Sequence, residues 1–172
     1  PIINWQFYVL PSIKSQNLLA PQSAKQAVAI NDIYIKKDAD GFSYFIDQSS
    51  VKGLTSEADS FLLTIPKLNI KDAIVLVNSQ EFKENLAHFP GSALPGKIGN
   101  VFITGHSALP QYFNPKDYKN IFSTLIELKN GDLVDLKYAS QFYQYQIISR
   151  KVVSPDDVSV ILPIDRSDSF LT

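Results

Sequence analysis

There is no cysteine among the 172 residues. Its absence excludes a disulfide framework, a thiolate metal site and a cysteine nucleophile within these residues. Histidine occurs only twice, as His88 and His106. Two are too few for a histidine-rich metal site, and no carboxylate spacing completes a mixed one. Nothing in the sequence asks for a cofactor. Glycine is scarce, at seven residues, so the ten prolines do much of the punctuation. No run approaches the ~18 apolar residues of a membrane span. The net charge of −1 lacks the basic footprint of a nucleic-acid binder. The chain starts at Pro1 with no signal peptide, and the expectation is an upstream export or anchor segment outside the residues given.

What is present is β-forming. Eight Tyr, eleven Phe and many Val and Ile favour strands, in a chain long enough for one domain with a sizeable core. Residues 1–59 read as an N-terminal extension or linker. Pro11, Ser12, Ser15, Gln16, Asn17, Pro21, Gln22 and Ser23 make a polar stretch without period. Ala27 to Ile35 fit a short helix or a strand equally, and Gly41 to Ile46 fit a strand. Trp5, Phe7 and Tyr8 are read as packing on the body. They and Phe42 to Phe45 would also suit a lid over a groove.

The body, residues 60–172, opens with the strand Phe61–Ile65, stopped by Pro66. Leu68 to Ile70 and Ala73 to Val77 look like strand pieces split by a turn at Lys71-Asp72. Asn78 and Glu81 have the spacing of a capping box, which predicts a short helix to about Leu86. His88 to Lys97 hold two Pro and two Gly and read as a loop, with His88 held by backbone hydrogen bonds. Asn114, Pro115 and Asp117 predict a second helix, with Tyr118, Ile121, Phe122 and Leu125 as its core stripe. Asn130-Gly131 marks a turn. Val134, Leu136 and Tyr138 alternate with polar residues, as do Tyr143, Tyr145 and Ile147, giving two half-buried strands. Ser154-Pro155 opens a last short helix, which Pro163 ends. Phe170-Leu171-Thr172 looks like the start of a strand cut short. About seven short strands and two or three short helices, without βαβ alternation, argue for a mainly β barrel or sandwich.

The most informative run is Asn100-Val101-Phe102-Ile103-Thr104-Gly105-His106-Ser107. It is a strand suited to burial on both faces, delivering a histidine where it ends. Gly105 permits a turn or a close approach there. Adjacent strand residues point to opposite faces, which argues against a Ser107–His106 pair, and the chain has no Gly-x-Ser-x-Gly elbow.

Five stretches, in this order, together resemble the sortases, the cysteine transpeptidases that join surface proteins to the cell wall or to pilins. They are Phe61 to Ile70 with its Ile65-Pro66 step, Leu86 to Gly96 with His-x-Pro-Gly-Ser-x-x-Pro-Gly, Gly99 to His106, Leu125 to Asp132, and Val152 to Val160. The likeness runs from about Phe61 to Thr172. It implies a closed β-barrel of about eight strands with peripheral helices, and a thiol transpeptidase with His106 as the catalytic histidine. The family's cysteine ends a Thr-Leu-x-Thr-Cys strand, and an arginine lies on the next. Ser169 to Thr172 match the first four positions of that motif, or Leu171-Thr172 its opening, so the cysteine and arginine are expected beyond Thr172. Arg150 and Arg166 precede that strand and take neither role. A barrel without its last strands would show open edges, so the expectation is a fragment or a second chain completing the barrel.

The partners implied are a sorting-signal peptide of the Leu-Pro-x-Thr-Gly kind and an amine from peptidoglycan or a pilin lysine. Ser107, Ala108 and Leu109 would border the peptide. The place implied is the outer face of a bacterial membrane, reached through an N-terminal anchor. The alternative is a non-catalytic surface binding or adaptor module on the same barrel.

Overall fold

A computed structural model describes residues 4–11, 33–37, 43–47, 58–154, 157–161 and 168–172. Eleven strands fall among them: β1 (Asn4–Pro11), β2 (Ile33–Lys37), β3 (Ser43–Asp47), β4 (Ser60–Ile65), β5 (Ile70–Leu76), β6 (Leu86–His88), β7 (Gly99–Val101), β8 (Ile103–Thr104), β9 (Leu133–Tyr138), β10 (Gln141–Val153) and β11 (Ser169–Leu171). Nine form one sheet in the order β7-β11-β1-β10-β9-β4-β5-β6-β8. The fold is mainly β, as the sequence predicts. β2 and β3 form a separate hairpin. The side chains of Trp5, Phe7 and Tyr8, and the polar stretch from Ser12 to Ser23, lie outside the described residues.

The two ends of this order, β7 and β8, are consecutive in the chain and separated only by Phe102. The sheet curls so that alternate residues of its strands meet inside. Phe61, Leu63 and Ile65 of β4, Val134, Leu136 and Tyr138 of β9, and Tyr145 and Ile147 of β10 join Val75, Val101 and Leu171 in one core. Each such side chain taken from water contributes about 1.5–3 kcal/mol. A smaller cluster of Phe89, Phe102, Val153, Val160 and Ile161 covers the other face of the 99–104 run. That run is therefore buried on both faces, as its apolar composition suggests.

The predicted helices are not seen among the described residues, where helical structure is limited to three-residue 3-10 turns. Asn78 has a φ of 53°, a left-handed conformation that cannot start a helix, and Ser79 Oγ accepts the Glu81 N–H instead. From Asn114 to Ser123 the chain advances in three-residue steps: Asp117 N donates to Asn114 O, Asn120 N to Asp117 O, and Ser123 N to Asn120 O. Side chains of Asn114, Asp117 and Asn120 accept the N–H groups of Lys116, Lys119 and Asn114, so short polar side chains outcompete the helical ladder. Ile121, Phe122 and Leu125 are buried all the same. In the last predicted helix, Pro155 and Pro163 lie outside the described residues, while Asp157 Oδ1 caps the turn Val158–Val160. β5 also differs from expectation. It runs unbroken through Lys71-Asp72, with Asp72 left-handed at φ 51° and its N–H on Thr64 Oγ1.

Among the described residues, β11 does not present the open edge expected of the last strand. β11 pairs in parallel with β7, Leu171 opposite Val101, and antiparallel with β1, where Val9 faces Leu171. β1 itself runs along β10 from Asn4↔Val153 to Pro11↔Tyr145.

His88 is fully buried at the end of β6. Its Nε2 lies 2.9 Å from both Ala93 O and Ser92 Oγ, and its Nδ1 accepts the Asn78 N–H at 3.4 Å. The Ser92 hydroxyl donates to Phe89 O, so one neutral tautomer, with the proton on Nε2, satisfies every contact. Burial lowers the His88 pKa from 6.5 to about 4, while the Ala93 hydrogen bond acts the other way. Between those values the unfolded chain binds more protons than the folded one. Stability from this residue is therefore intact above pH 6.5 and falls as the pH drops, by about 3 kcal/mol at pH 4. Urea unfolding at pH 7, 5 and 4 should show a steeper acid loss for the wild type than for His88→Gln. Parallel losses would mean that His88 titrates normally. A second change probes packing. A Cβ on Gly105 would meet Leu86 Cδ2 at 2.4 Å and Phe122 Cδ2 at 2.9 Å. Gly105→Ala should cost about 1–3 kcal/mol by urea unfolding, and an unshifted midpoint would show that both neighbours yield.

Candidate active site

The 99–104 run is held from both sides, and its hydrogen bonds alternate. Val101 O accepts from Thr172 N at 2.9 Å, and Ile103 N donates to Thr172 O at 2.8 Å. In alternation with them, Asn100 O, before Val101, accepts from Ala93 N at 2.8 Å, and Phe102 O, after it, from Phe89 N at 2.9 Å. Phe102 N reaches Ser92 Oγ at 3.3 Å. The β11 end thus binds Val101 and Ile103, the Pro-Gly loop binds Asn100 and Phe102, and β6 pairs with Ile103 and Thr104. Phe102, which leaves the strand ladder, keeps both its backbone groups paired.

His106 follows this run and is 7% exposed. Its carbonyl accepts the Phe122 N–H at 3.1 Å, and Ala108 N donates to Ser123 Oγ at 2.8 Å. The turns at Phe122 and Ser123 therefore pin the backbone on both sides of Ser107. The His106 ring meets Phe82 at 4.6 Å between centroids, with planes 61° apart. Ser107 is half-buried, whereas Ala108 and Leu109 are exposed, Leu109 at 60%. Those three face outward beside a buried imidazole, as a rim would.

Thr172 stands where β11 and the 99–104 run share hydrogen bonds, and its Oγ1 is buried without a hydrogen-bond partner. His106 is three residues past Ile103, roughly 10 Å farther along an extended chain. Tyr145 braces this corner. Its Oη lies 3.1 Å from Ser169 Oγ and accepts the Gly96 N–H at 3.3 Å, and burial raises its pKa. Gly96, at φ 79°, lies against Tyr143, where a Cβ would meet the ring at 2.1 Å.

Other candidates lie elsewhere. Arg150 donates to Ile126 O, and Arg166 lies outside the described residues. The Lys67–Asp132 pair, at 2.6 Å, is on the surface, and the Lys67 hydrogen bond lowers the Asp132 pKa. A groove of about 740 Å³ opens beside Thr64, Asp72, Asp135 and Phe142, and His106 is not in its lining. Among the described residues no group of three or more His, Asp or Glu could hold a metal ion, and no helix is long and apolar enough to cross a membrane. Phe82 and Ser123 escape a reading by motif. The signal for Phe82 was its isolation, one aromatic among Ser79, Gln80, Glu81, Lys83, Glu84 and Asn85.

Comparison with known proteins fits this arrangement. A sequence model of the sortase domain matches residues 63–172. Sortase D of Bacillus subtilis (strain 168) is 28% identical over 128 residues, covering 73% of this chain; the chain spans 59% of that relative's length. A pilus-related sortase C of Group B Streptococcus is 30% identical with a TM-score of 0.53, covering 69% of this chain and 59% of its own. A Clostridium perfringens sortase D5 transpeptidase shares the fold at 23% identity and a TM-score of 0.53, over 68% of this chain and 69% of that one. With the domain match extending over most of the chain, from β4 through the run that ends in His106 to Thr172, this protein belongs to the sortase family.

Proposed function

We propose that this chain supplies the histidine side of a cysteine transpeptidase centre. It would cleave a sorting motif of the Leu-Pro-x-Thr-Gly kind and pass the acyl group to an amine of the cell wall or a pilin. The observation that carries this reading is the parallel register of β11 on the 99–104 run, with Thr172 bonded to both Val101 and Ile103. In that register a chain continuing past Thr172 advances in the direction of His106. The nucleophilic cysteine is assigned to that continuation and the arginine beyond it. The same adjacency of β7 and β8, at opposite ends of the sheet order, supports a barrel closed through Phe102.

The chemistry would run in two transfers. The thiolate attacks the scissile carbonyl carbon, and the arginine offsets the oxyanion. His106, protonated, gives its proton to the departing amine as the carbon–nitrogen bond breaks, leaving a thioester and a neutral imidazole. The acceptor amine then attacks the thioester while His106 takes up its proton, and the thiolate departs. No net proton is consumed. A buried imidazole with a pinned backbone suits this exchange, because it presents one orientation to both amines. Ser107, Ala108 and Leu109 would line the peptide, with exposed Leu109 offering apolar surface. Placement at the outer face of the bacterial membrane, through an N-terminal anchor, belongs to the same proposal.

The test is transpeptidation of a Leu-Pro-x-Thr-Gly peptide onto an amine by the full-length protein. His106→Ala should lower kcat by roughly 10²- to 10⁴-fold, with the fold kept by circular dichroism. Near wild-type turnover would sink the assignment. Peptide binding without turnover, and without a reactive thiol in the full-length protein, would favour the adaptor module instead.

A further inference from the structure

We propose that Phe82 is a positioning residue for His106, fixing the imidazole orientation from the connection between β5 and β6; this rests on the role given to His106 above. The ring pair has an edge-to-face geometry, at 4.6 Å and 61°. The surroundings make the contact specific. Phe82 is the one apolar residue between Ser79 and Asn85, and it is half-buried while Glu81, Lys83 and Glu84 are exposed. A floppy polar loop would carry a lone phenyl ring to no fixed place.

This loop is braced. Asn85 Nδ2 donates to Glu81 O at 2.6 Å and to Leu86 O at 3.0 Å, closing the segment across its middle. Ser79 Oγ accepts from Glu81 N, and Ser79 N donates to His88 O at 3.1 Å. Asn78 N donates to His88 Nδ1. The loop is thus fastened at its start to the buried His88 and at its end to Leu86, the residue whose side chain crowds Gly105. The same β6 strand therefore sets both the Gly105 backbone and, through this loop, the Phe82 ring. The Phe122 bond fixes the His106 main chain, whereas Phe82 touches the imidazole itself. Rotation about the imidazole's last side-chain torsion is broad when nothing packs on the ring. A ring packed edge-on removes that freedom without competing for the nitrogens.

Two substitutions separate ring from bulk. Phe82→Leu keeps an apolar group but loses the aromatic ring, and Phe82→Tyr keeps the ring. In the full-length protein, Phe82→Leu should lower kcat roughly 10- to 100-fold with KM held within about twofold, and Phe82→Tyr should restore most of it. In the same protein, Phe82→Leu should displace the His106 ring-proton resonances, while those of His88 stay in place and report an intact fold. Unmoved His106 resonances with unchanged kcat would overturn the proposal, and so would a loss confined to KM, which would make Phe82 a wall of the peptide groove. The two readings fail separately: if His106→Ala keeps its activity, the role of His106 is wrong, yet the resonances still report whether Phe82 orients the ring.

Discussion

The structure hangs on how the backbone of residues 99–104 is satisfied. These six residues are flanked by two partners that differ in kind. One is the regular strand β11, the other the Pro-Gly loop after His88, which hands over to β6 at Ile103 and Thr104. Neither alone would pair every N–H and C=O, and an unpaired buried amide costs about as much as a lost hydrogen bond. The loop is irregular because it must do strand work without strand geometry. Ser92 illustrates this. One hydroxyl meets His88 Nε2, Phe89 O and Phe102 N, in place of a main-chain partner.

His106 inherits its surroundings from that arrangement. Gly105 lies so close to Leu86 and Phe122 that the chain has one route out of the sheet. The turns at Phe122 and Ser123 then catch the backbone on either side of Ser107. Three supports from two distant parts of the sequence converge here: β6 with the polar loop before it that carries Phe82, and the turns near residue 122. Loops held by rigid scaffolds commonly carry function, and here the scaffold reaches through the loops to a single imidazole.

Much of this was legible beforehand, and the exceptions have physical causes. The alternation at Val134, Leu136 and Tyr138 gave β9 directly, because one face is buried and the other wet. The apolar run at Val101 to Ile103 correctly signalled burial on both faces. The stripe at Ile121, Phe122 and Leu125 identified core residues but not their conformation, since three-residue turns bury nearly the same positions as a helix. What separates the two is side-chain competition by Asp117 and Asn120, which a periodicity argument ignores. The polar pair Lys71-Asp72 reads as a break but is not one, because a left-handed residue bends a strand without ending it. β1 was hidden for a plainer reason: its partners lie some 140 residues away, and pairing at that range leaves no local mark. The loop composition points to a backbone-held His88; nothing in the sequence points to the neighbour of His106, because no motif contains Phe82.

That long-range pairing has a consequence for how the chain reaches its native state. β1 emerges from the ribosome well before its partners β10 and β11, which follow it by more than a hundred residues. Contacts so far apart in sequence are slow to form, because a very long loop must close before they are rewarded. Until then β1 presents an unpaired strand edge, the kind of surface that invites pairing with another molecule. The nascent chain therefore has a period of vulnerability set by the time needed to make β10 and β11, and a holding chaperone with affinity for extended segments would find its binding site in β1.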